Sequence, residues 1–377
     1  MEKRRVVITG IGAVTPLGNT AAESWQAVKD GVCGIAPITL YDHSNQKVSL
    51  AAEVKNFDPT VALDKKEARR MDRFTQFAVT AAVEAVQDSG LNLEQEDTAR
   101  CGVSVSSGIG GIATIQSSCE AGNVRGFDKV SPFFIPMSIP NLAAGHIEVM
   151  LSGGAEASIT PLAMGGFTSM SALTTASDPN RASIPFDAER SGFVMGEGAA
   201  ILVLEELDHA LARNAKIYGE VVGYGATCDA YHITAPDPKG TWSAACIQQA
   251  LADADMTPEQ VDYVNAHGTS TPLNDSGETA AIHQVFGDHA KNLMVSSTKS
   301  MTGHLLGASG AVEAMFSVLA LKDGYVPATI NYQVPDPACD LDIVPNEGRQ
   351  ADIKVAISDS LGFGGHNTCL VFQKWEG

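Results

Sequence analysis

The chain reads as an α/β protein with sheets covered on both faces, and three observations predict this. Short apolar runs of strand length alternate with longer amphipathic runs of helix length along the 377 residues. The alternation closes at the helix-like Glu205–Arg213 and restarts with a new strand at Ile217. Both stretches follow the strand-then-helix pattern that builds layered α/β folds. A boundary at Arg213–Lys216 divides the chain into a first half, 1–213, and a second, 214–377.

The elements follow in order. Arg5–Gly10 is a strand and Ala21–Lys29 a helix. Phe74–Ser89 is a long amphipathic helix. Cys101–Ser106 is a buried strand ending in Ser106-Ser107-Gly108-Ile109-Gly110-Gly111. Glu148–Leu151 is a strand that breaks at Ser152-Gly153-Gly154, and a turn at Gly196-Glu197-Gly198 leads into strand Ala199–Leu204. The second half reads as strand Ile217–Tyr224, helix Thr241–Ala254, strand Tyr263–Ala266 and helix Gly277–Phe286. Strand Leu293–Ser296, helix Leu306–Lys322 and the strands Lys354–Ser358 and Asn367–Gln373 complete it. The Leu306–Lys322 segment carries alanine and glycine on several faces, the mark of a helix packed against other backbone.

Composition excludes several classes. With 44% hydrophobic residues, the chain can bury substantial cores. The apolar runs, such as Ala199–Leu204, are far too short to span a bilayer. The basic N-terminus enters a strand at once and lacks a signal-peptide core, so a cytoplasmic, membrane-free protein is expected. Seven scattered cysteines without a CxxC pair argue against a disulfide framework or a zinc site. A net charge of -19 argues against nucleic acid. The one local basic patch, Lys65-Lys66 and Arg69-Arg70 within Asp64–Arg73, reads on composition alone as a solvated helix face.

Two histidines stand in glycine- and hydroxyl-rich loops, Asn265-Ala266-His267-Gly268-Thr269-Ser270-Thr271 and Lys299-Ser300-Met301-Thr302-Gly303-His304. Such loops let a substrate approach the backbone. His267 follows a strand, where α/β enzymes place their chemistry. His304 precedes a helix, whose N-terminal dipole disfavours an imidazolium. Two neutral imidazoles can polarise one carbonyl oxygen; two structural loop histidines are the alternative. If Lys299 and Glu313 are interior they must pair. Asp275 and Glu278 are candidates to orient imidazoles from behind. Phe363 lies among glycines in Gly362-Phe363-Gly364-Gly365-His366-Asn367, either a mobile loop or a plain hairpin turn.

A nucleophile is not found. G-x-S-x-G is absent, and none of the cysteines follows a strand and opens a small-residue helix. Phosphate-loop motifs are absent, and Ile8-Thr9-Gly10-Ile11-Gly12 only superficially matches a dinucleotide turn. The halves also differ. The second has a strand, a polar loop and the small-residue helix in succession; the first passes from Pro140–Ile147 straight to Glu148–Gly154. If the halves repeat, one strand–loop–helix unit of about 30 residues is missing there.

Taken together, Val7–Gly12, Ser131–Pro136, Gly153–Ala157, Gly192–Gly198, both histidine loops and Gly362–Asn367 resemble the β-ketoacyl-[acyl-carrier-protein] synthases. The likeness is greatest to the type II condensing enzymes of bacterial fatty acid synthesis and runs nearly end to end. The resemblance implies a thiolase-like, five-layered αβαβα fold of two pseudo-symmetric halves, a homodimer, and no cofactor or metal. It implies a cysteine–histidine–histidine site, in which the cysteine takes an acyl chain from acyl carrier protein. His267 and His304 then hold the malonyl thioester carbonyl as carbon dioxide leaves. Lys299 and Glu313 match the family's buried ion pair, Thr269 and Thr271 its malonyl contacts, Phe363 its gate, and Ile109 its acyl-pocket wall. Lys65, Lys66, Arg69 and Arg70 match its carrier-protein docking surface. Ile184 stands where the family commonly has arginine.

The departure lies at Ile147/Glu148, where the family carries a strand, the nucleophile elbow and its helix. Three readings fit: residues omitted from the written sequence, a true deletion, or a non-catalytic binding subunit like the chain-length factors. Losing half of a central helical layer would cost more than the whole stability of a domain. Omission is therefore expected, with a break within Gly145–Met150 in the regular Cα spacing of about 3.8 Å. A degradative thiolase is a further alternative, disfavoured by the basic patch.

Overall fold

The structure, a computed structural model, describes residues 4–141 and 151–377. The break expected within Gly145–Met150 lies outside the described residues. The strands are β1 (Val6–Val14), β2 (Ala36–Pro37), β3 (Leu50–Ala51), β4 (Val103–Ser106), β5 (Leu151–Glu156), β6 (Gly198–Glu206) and β7 (Gly219–Cys228). They continue with β8 (Tyr263–Asn265), β9 (Met294–Ser296), β10 (Tyr325–Val326), β11 (Arg349–Gln350), β12 (Val355–Gly362) and β13 (His366–Gln373). The helices are α1 (Ala21–Lys29), α2 (Lys65–Ala68), α3 (Arg73–Ser89), α4 (Ile112–Arg125), α5 (Phe134–Ser138) and α6 (Pro161–Ser169). The remainder are α7 (Leu207–Ala212), α8 (Thr241–Asp253), α9 (Pro272–Phe286), α10 (Lys299–Thr302) and α11 (Ser309–Asp323).

Nine strands pair in the order β4-β5-β6-β1-β7-β13-β12-β8-β9. Outward from the β1–β7 seam the two sides mirror each other. β6 and β13 lie antiparallel to β1 and β7, and β5 and β12 lie antiparallel to those. β4 and β8 then pair in parallel. Beyond β8 comes β9, also parallel, followed in the chain by α11. Beyond β4 no strand pairs among the described residues.

Helices explain why the strands are apolar throughout. α3 lies on β1, β5 and β6; α8 lies on β7 and β13. α11 sits between the halves, touching β5 and β6 of the first and β12, β13 and β7 of the second. β1 is buried along nearly its whole length because both faces are covered. Gly10 and Gly12, the false dinucleotide signal, serve this packing: a Cβ on Gly12 would lie 2.0 Å from the Ala81 carbonyl oxygen of α3. Thr20 caps α1 through the Glu23 N–H, and Asp72 caps α3, which ends at a left-handed Gly90.

Three expectations need correction. The strand expected to break at Ser152-Gly153-Gly154 does not: β5 begins at Leu151 and runs through them to Glu156, because the glycines admit neighbouring backbone (a Cβ on Gly154 would meet the Gly307 carbonyl at 2.2 Å). α9 starts at Pro272 rather than Gly277, since proline is preorganised for the first helical position. β4 is not a buried strand; Val105 alone is buried. Around it α4 buries only Gly122, α5 buries nothing, and Val124, Phe127 and Ile135 are 84%, 63% and 60% exposed. The apolar pattern there was written for a cover that the described residues do not supply.

Candidate functional site

β12, β8 and β9 are parallel neighbours, so their C-terminal ends open on one side. Phe363 follows β12, His267 follows β8, and the Ser297–His304 loop follows β9. Adjacent parallel strands therefore bring together residues up to 96 positions apart. The imidazoles of His267 and His304 meet edge to face, with ring centroids 5.2 Å apart at 87°.

Each Nδ1 is already engaged. The Lys299 ammonium donates toward His267 Nδ1 at 3.4 Å. The Leu306 N–H donates to His304 Nδ1 at 3.2 Å, and the Ser309 hydroxyl stands 2.9 Å from the same nitrogen. Ammonium and amide groups only donate, so both Nδ1 atoms accept and both rings carry their proton on Nε2. Burial, then the Lys299 charge, hold both imidazoles well below their ordinary pKa; His304 adds a third push on His267. The pair is thus neutral at pH 7, with a proton on each Nε2 and ring centres 5.2 Å apart.

Lys299 and Glu313 form a buried ion pair, as expected if both were interior. Burial pushes Glu313 up to about 7, against the opposing pull of the ammonium. Thr269 and Thr271 share a 2.8 Å hydroxyl hydrogen bond beside His267. Phe193 packs edge-on to His304 at 5.1 Å, and Phe167 bridges Phe193 to the half-exposed Phe363. Ile109 lies half-buried in the loop after β4.

Asp275 and Glu278 do not orient imidazoles. Glu278 accepts from the His267 and Gly268 backbone N–H groups at 2.6 and 2.8 Å. Asp275 accepts from Phe186 N–H at 2.8 Å and lies 3.6 Å from the Arg190 guanidinium. Asp275 and Glu278 also accept from the Asn274 side-chain amide, at 3.1 and 3.3 Å. Arg190 also ties down the Thr271 and Pro272 carbonyls. Phe186, Ser270 and Leu306 hold left-handed φ of +65°, +67° and +47° without being glycine, which concentrates backbone strain at the site. Sequence reasoning assigns no role to Arg190, Phe193, Ser309 or the strained residues, although Phe193, Ser270, Leu306 and Ser309 lie in stretches it singles out.

None of the cysteines is set up as a nucleophile among the described residues. Burial pushes Cys246 up to about 12 and Cys339 to about 11, and raises Cys33, Cys101 and Cys369. Cys119 and Cys228 are exposed and make no contact with either histidine. Lys65, Lys66, Arg69 and Arg70 are exposed, with Arg70 5.1 Å over Phe133. Arg73, at the edge of that patch, is withdrawn: it clamps Glu197 at 2.7 and 2.9 Å. Ile184 is buried and makes no charged contact; its N–H donates to Ser270 Oγ at 2.9 Å.

The chain belongs to the β-ketoacyl synthase family. The family's N-terminal domain matches residues 3–148 and 131–210, and its C-terminal domain matches 218–333. It is 48% identical to 3-oxoacyl-[acyl-carrier-protein] synthase 2 of Synechocystis sp., covering 100% of this chain and 99% of that one. It is 47% identical to the Coxiella burnetii protein of the same name, over 99% of each. The alignment with the Synechocystis protein extends over 413 positions against 377 residues here, so at least 36 positions have no residue in this chain. A β-ketoacyl synthase from Burkholderia phymatum superposes with a TM-score of 0.91 at 32% identity, over 99% of this chain and 100% of that one. A ketosynthase complex with a type II polyketide acyl-carrier protein gives 0.89 at 32% identity, with the same coverage. The fold is the five-layered αβαβα thiolase type. No helix among the described residues is long and apolar enough to cross a membrane.

Proposed function

We propose that this chain carries the condensing chemistry of fatty acid elongation: decarboxylative joining of an acyl chain to malonyl-[acyl-carrier-protein], giving 3-oxoacyl-[acyl-carrier-protein]. The observation that carries this reading is the neutral, Nε2-protonated histidine pair. The thioester carbonyl oxygen accepts from both Nε2–H groups. As carbon dioxide leaves, the electron pair of the broken carbon–carbon bond passes into the enolate, whose oxygen those N–H groups stabilise. The carbanion then attacks an acyl thioester on a cysteine, and the thiolate departs. Lys299, paired with Glu313, keeps the His267 proton on Nε2. Thr269 and Thr271 flank the malonyl group, Phe363 gates the pocket and Ile109 walls the acyl chain. The cations of α2 receive the acidic carrier protein, and a second copy of the chain completes a cytoplasmic homodimer. The halves divide at Arg213.

The nucleophile belongs to a strand–elbow–helix unit seated beyond β4 and joined near Ile147/Glu148. Supporting this are the mirror order of the strands, the uncovered apolar residues around β4, and the 36 unmatched positions. The test compares the 377-residue chain with a variant carrying the unmatched Synechocystis stretch at Ile147/Glu148. Both are expected to release carbon dioxide from malonyl-[acyl-carrier-protein]; only the variant forms 3-oxoacyl product and loses activity to iodoacetamide. No carbon dioxide from either would overturn the reading in favour of a non-catalytic binding subunit.

A further inference from the structure

We infer that Glu156 is a positioning residue that fixes the tautomer of His304 and the Ile109 loop through one carboxylate. The inference rests on the proposed role of His304 as a donor to the thioester oxygen. Glu156 ends β5 and is fully buried, and its four hydrogen-bond donors are neutral. Oε1 accepts from Ser158 Oγ at 2.7 Å and Ser107 Oγ at 3.2 Å. Oε2 accepts from Gly108 N–H at 2.8 Å and Gly307 N–H at 3.3 Å. These donors come from three separate segments.

One arm reaches the histidine. Gly307 follows Leu306, whose left-handed φ of +47° aims its N–H at His304 Nδ1. A leucine relaxes from that conformation when its neighbour is no longer pinned. Its N–H would then leave Nδ1, the ring proton could move there, and Nε2 would face the thioester oxygen as an acceptor. The other arm reaches the acyl side. Ser107 donates to Glu156 and accepts the Gly110 N–H at 2.8 Å, so Ile109 sits between two residues tied to the same carboxylate. The two arms also touch directly: a Cβ on Gly307 would lie 2.2 Å from the Gly108 nitrogen.

Imidazole ¹⁵N chemical shifts of histidine-labelled protein test this without requiring turnover. In the native chain and in Glu156→Gln, His304 is expected to be Nε2-protonated, because the amide oxygen can still accept both glycine N–H groups while the serine hydroxyls reverse. In Glu156→Ala the His304 shifts should move toward the Nδ1-protonated form, with those of His267 unchanged. Carbon dioxide release should fall about 10- to 100-fold in kcat with KM within about twofold, and Glu156→Gln should restore it. A folded Glu156→Ala with unchanged His304 shifts overturns the inference. If Glu156→Ala does not fold, Glu156→Gln decides: the Gly108 and Gly307 amide protons must move upfield, and unchanged shifts overturn it. If the native chain releases no carbon dioxide, the functional reading falls while the ¹⁵N shifts still judge Glu156.

Discussion

The second half ends in β8, β9 and α11, whereas the first ends at β4. From the β1–β7 seam outward the halves pair alike, strand for strand, until that point. The difference shows where chemistry and stability part. Loops after β8 and β9 carry His267 and His304, each with its Nδ1 engaged, beside the buried Lys299–Glu313 ion pair. Around β4, large apolar side chains face solvent and the elements bury almost nothing. The second half therefore holds the histidine pair, whereas the described residues of the first leave apolar side chains around β4 uncovered.

The largest expected effect comes from restoring the symmetry. Covering Val124, Phe127 and Ile135 gains about 2 kcal/mol for each side chain. With about 2 °C per kcal/mol for a chain of this size, insertion at Ile147/Glu148 should raise Tm by about 10 °C in calorimetry. An unchanged Tm would break the comparison. Next, Lys299→Ala strands Glu313 in the interior and should cost about 3–5 kcal/mol in urea unfolding. His304→Ala should cut carbon dioxide release about 10²- to 10³-fold while leaving Tm nearly unchanged. A comparable loss from Cys119→Ala would show that the first half contributes chemistry after all.

A smaller effect is the pH dependence. Folding depresses the pKa of both imidazoles below 6.5, so their contribution to stability is present above 6.5 and is lost as pH falls. For the buried His267 the slope below pH 6.5 approaches about 1.4 kcal/mol per unit. Urea midpoints at pH 5.5 and 7.5 should therefore differ less in His267→Gln than in the native chain. The smallest effect on stability belongs to the first-half surface. Reversing Lys65, Arg69 and Arg70 to glutamate should change unfolding by less than about 0.5 kcal/mol. It should nevertheless weaken acyl carrier protein binding and flatten its salt dependence.

Local chemistry made much of this legible. Runs of helix and strand length place α1, α3, β1, β8 and β13 close to where they fold. His267 and His304 stand out because small polar residues surround them, and Lys299 with Glu313 because neither is tolerable buried alone. Asp275 and Glu278 were legible as important but not in their task. Whether a carboxylate meets an imidazole or a backbone N–H depends on which donor the fold brings first. Arg190 left no usable signal, since its partners lie up to 146 positions away in the chain; Glu156 lies in a noted motif, but its partners reach 151 positions away.

The sequence by itself determined the order of strands and helices and carried the family resemblance. Those properties follow from periodicity and motif spacing, which act over a few residues. Only the tertiary structure decided that both Nε2 atoms carry the protons, that the Glu156 carboxylate meets both Gly108 and Gly307, and that no strand pairs beyond β4 among the described residues. The physical reason is the same in each case. A proton's position, a shared acceptor and a covered edge are set by groups meeting through space, and the chain does not record that distance.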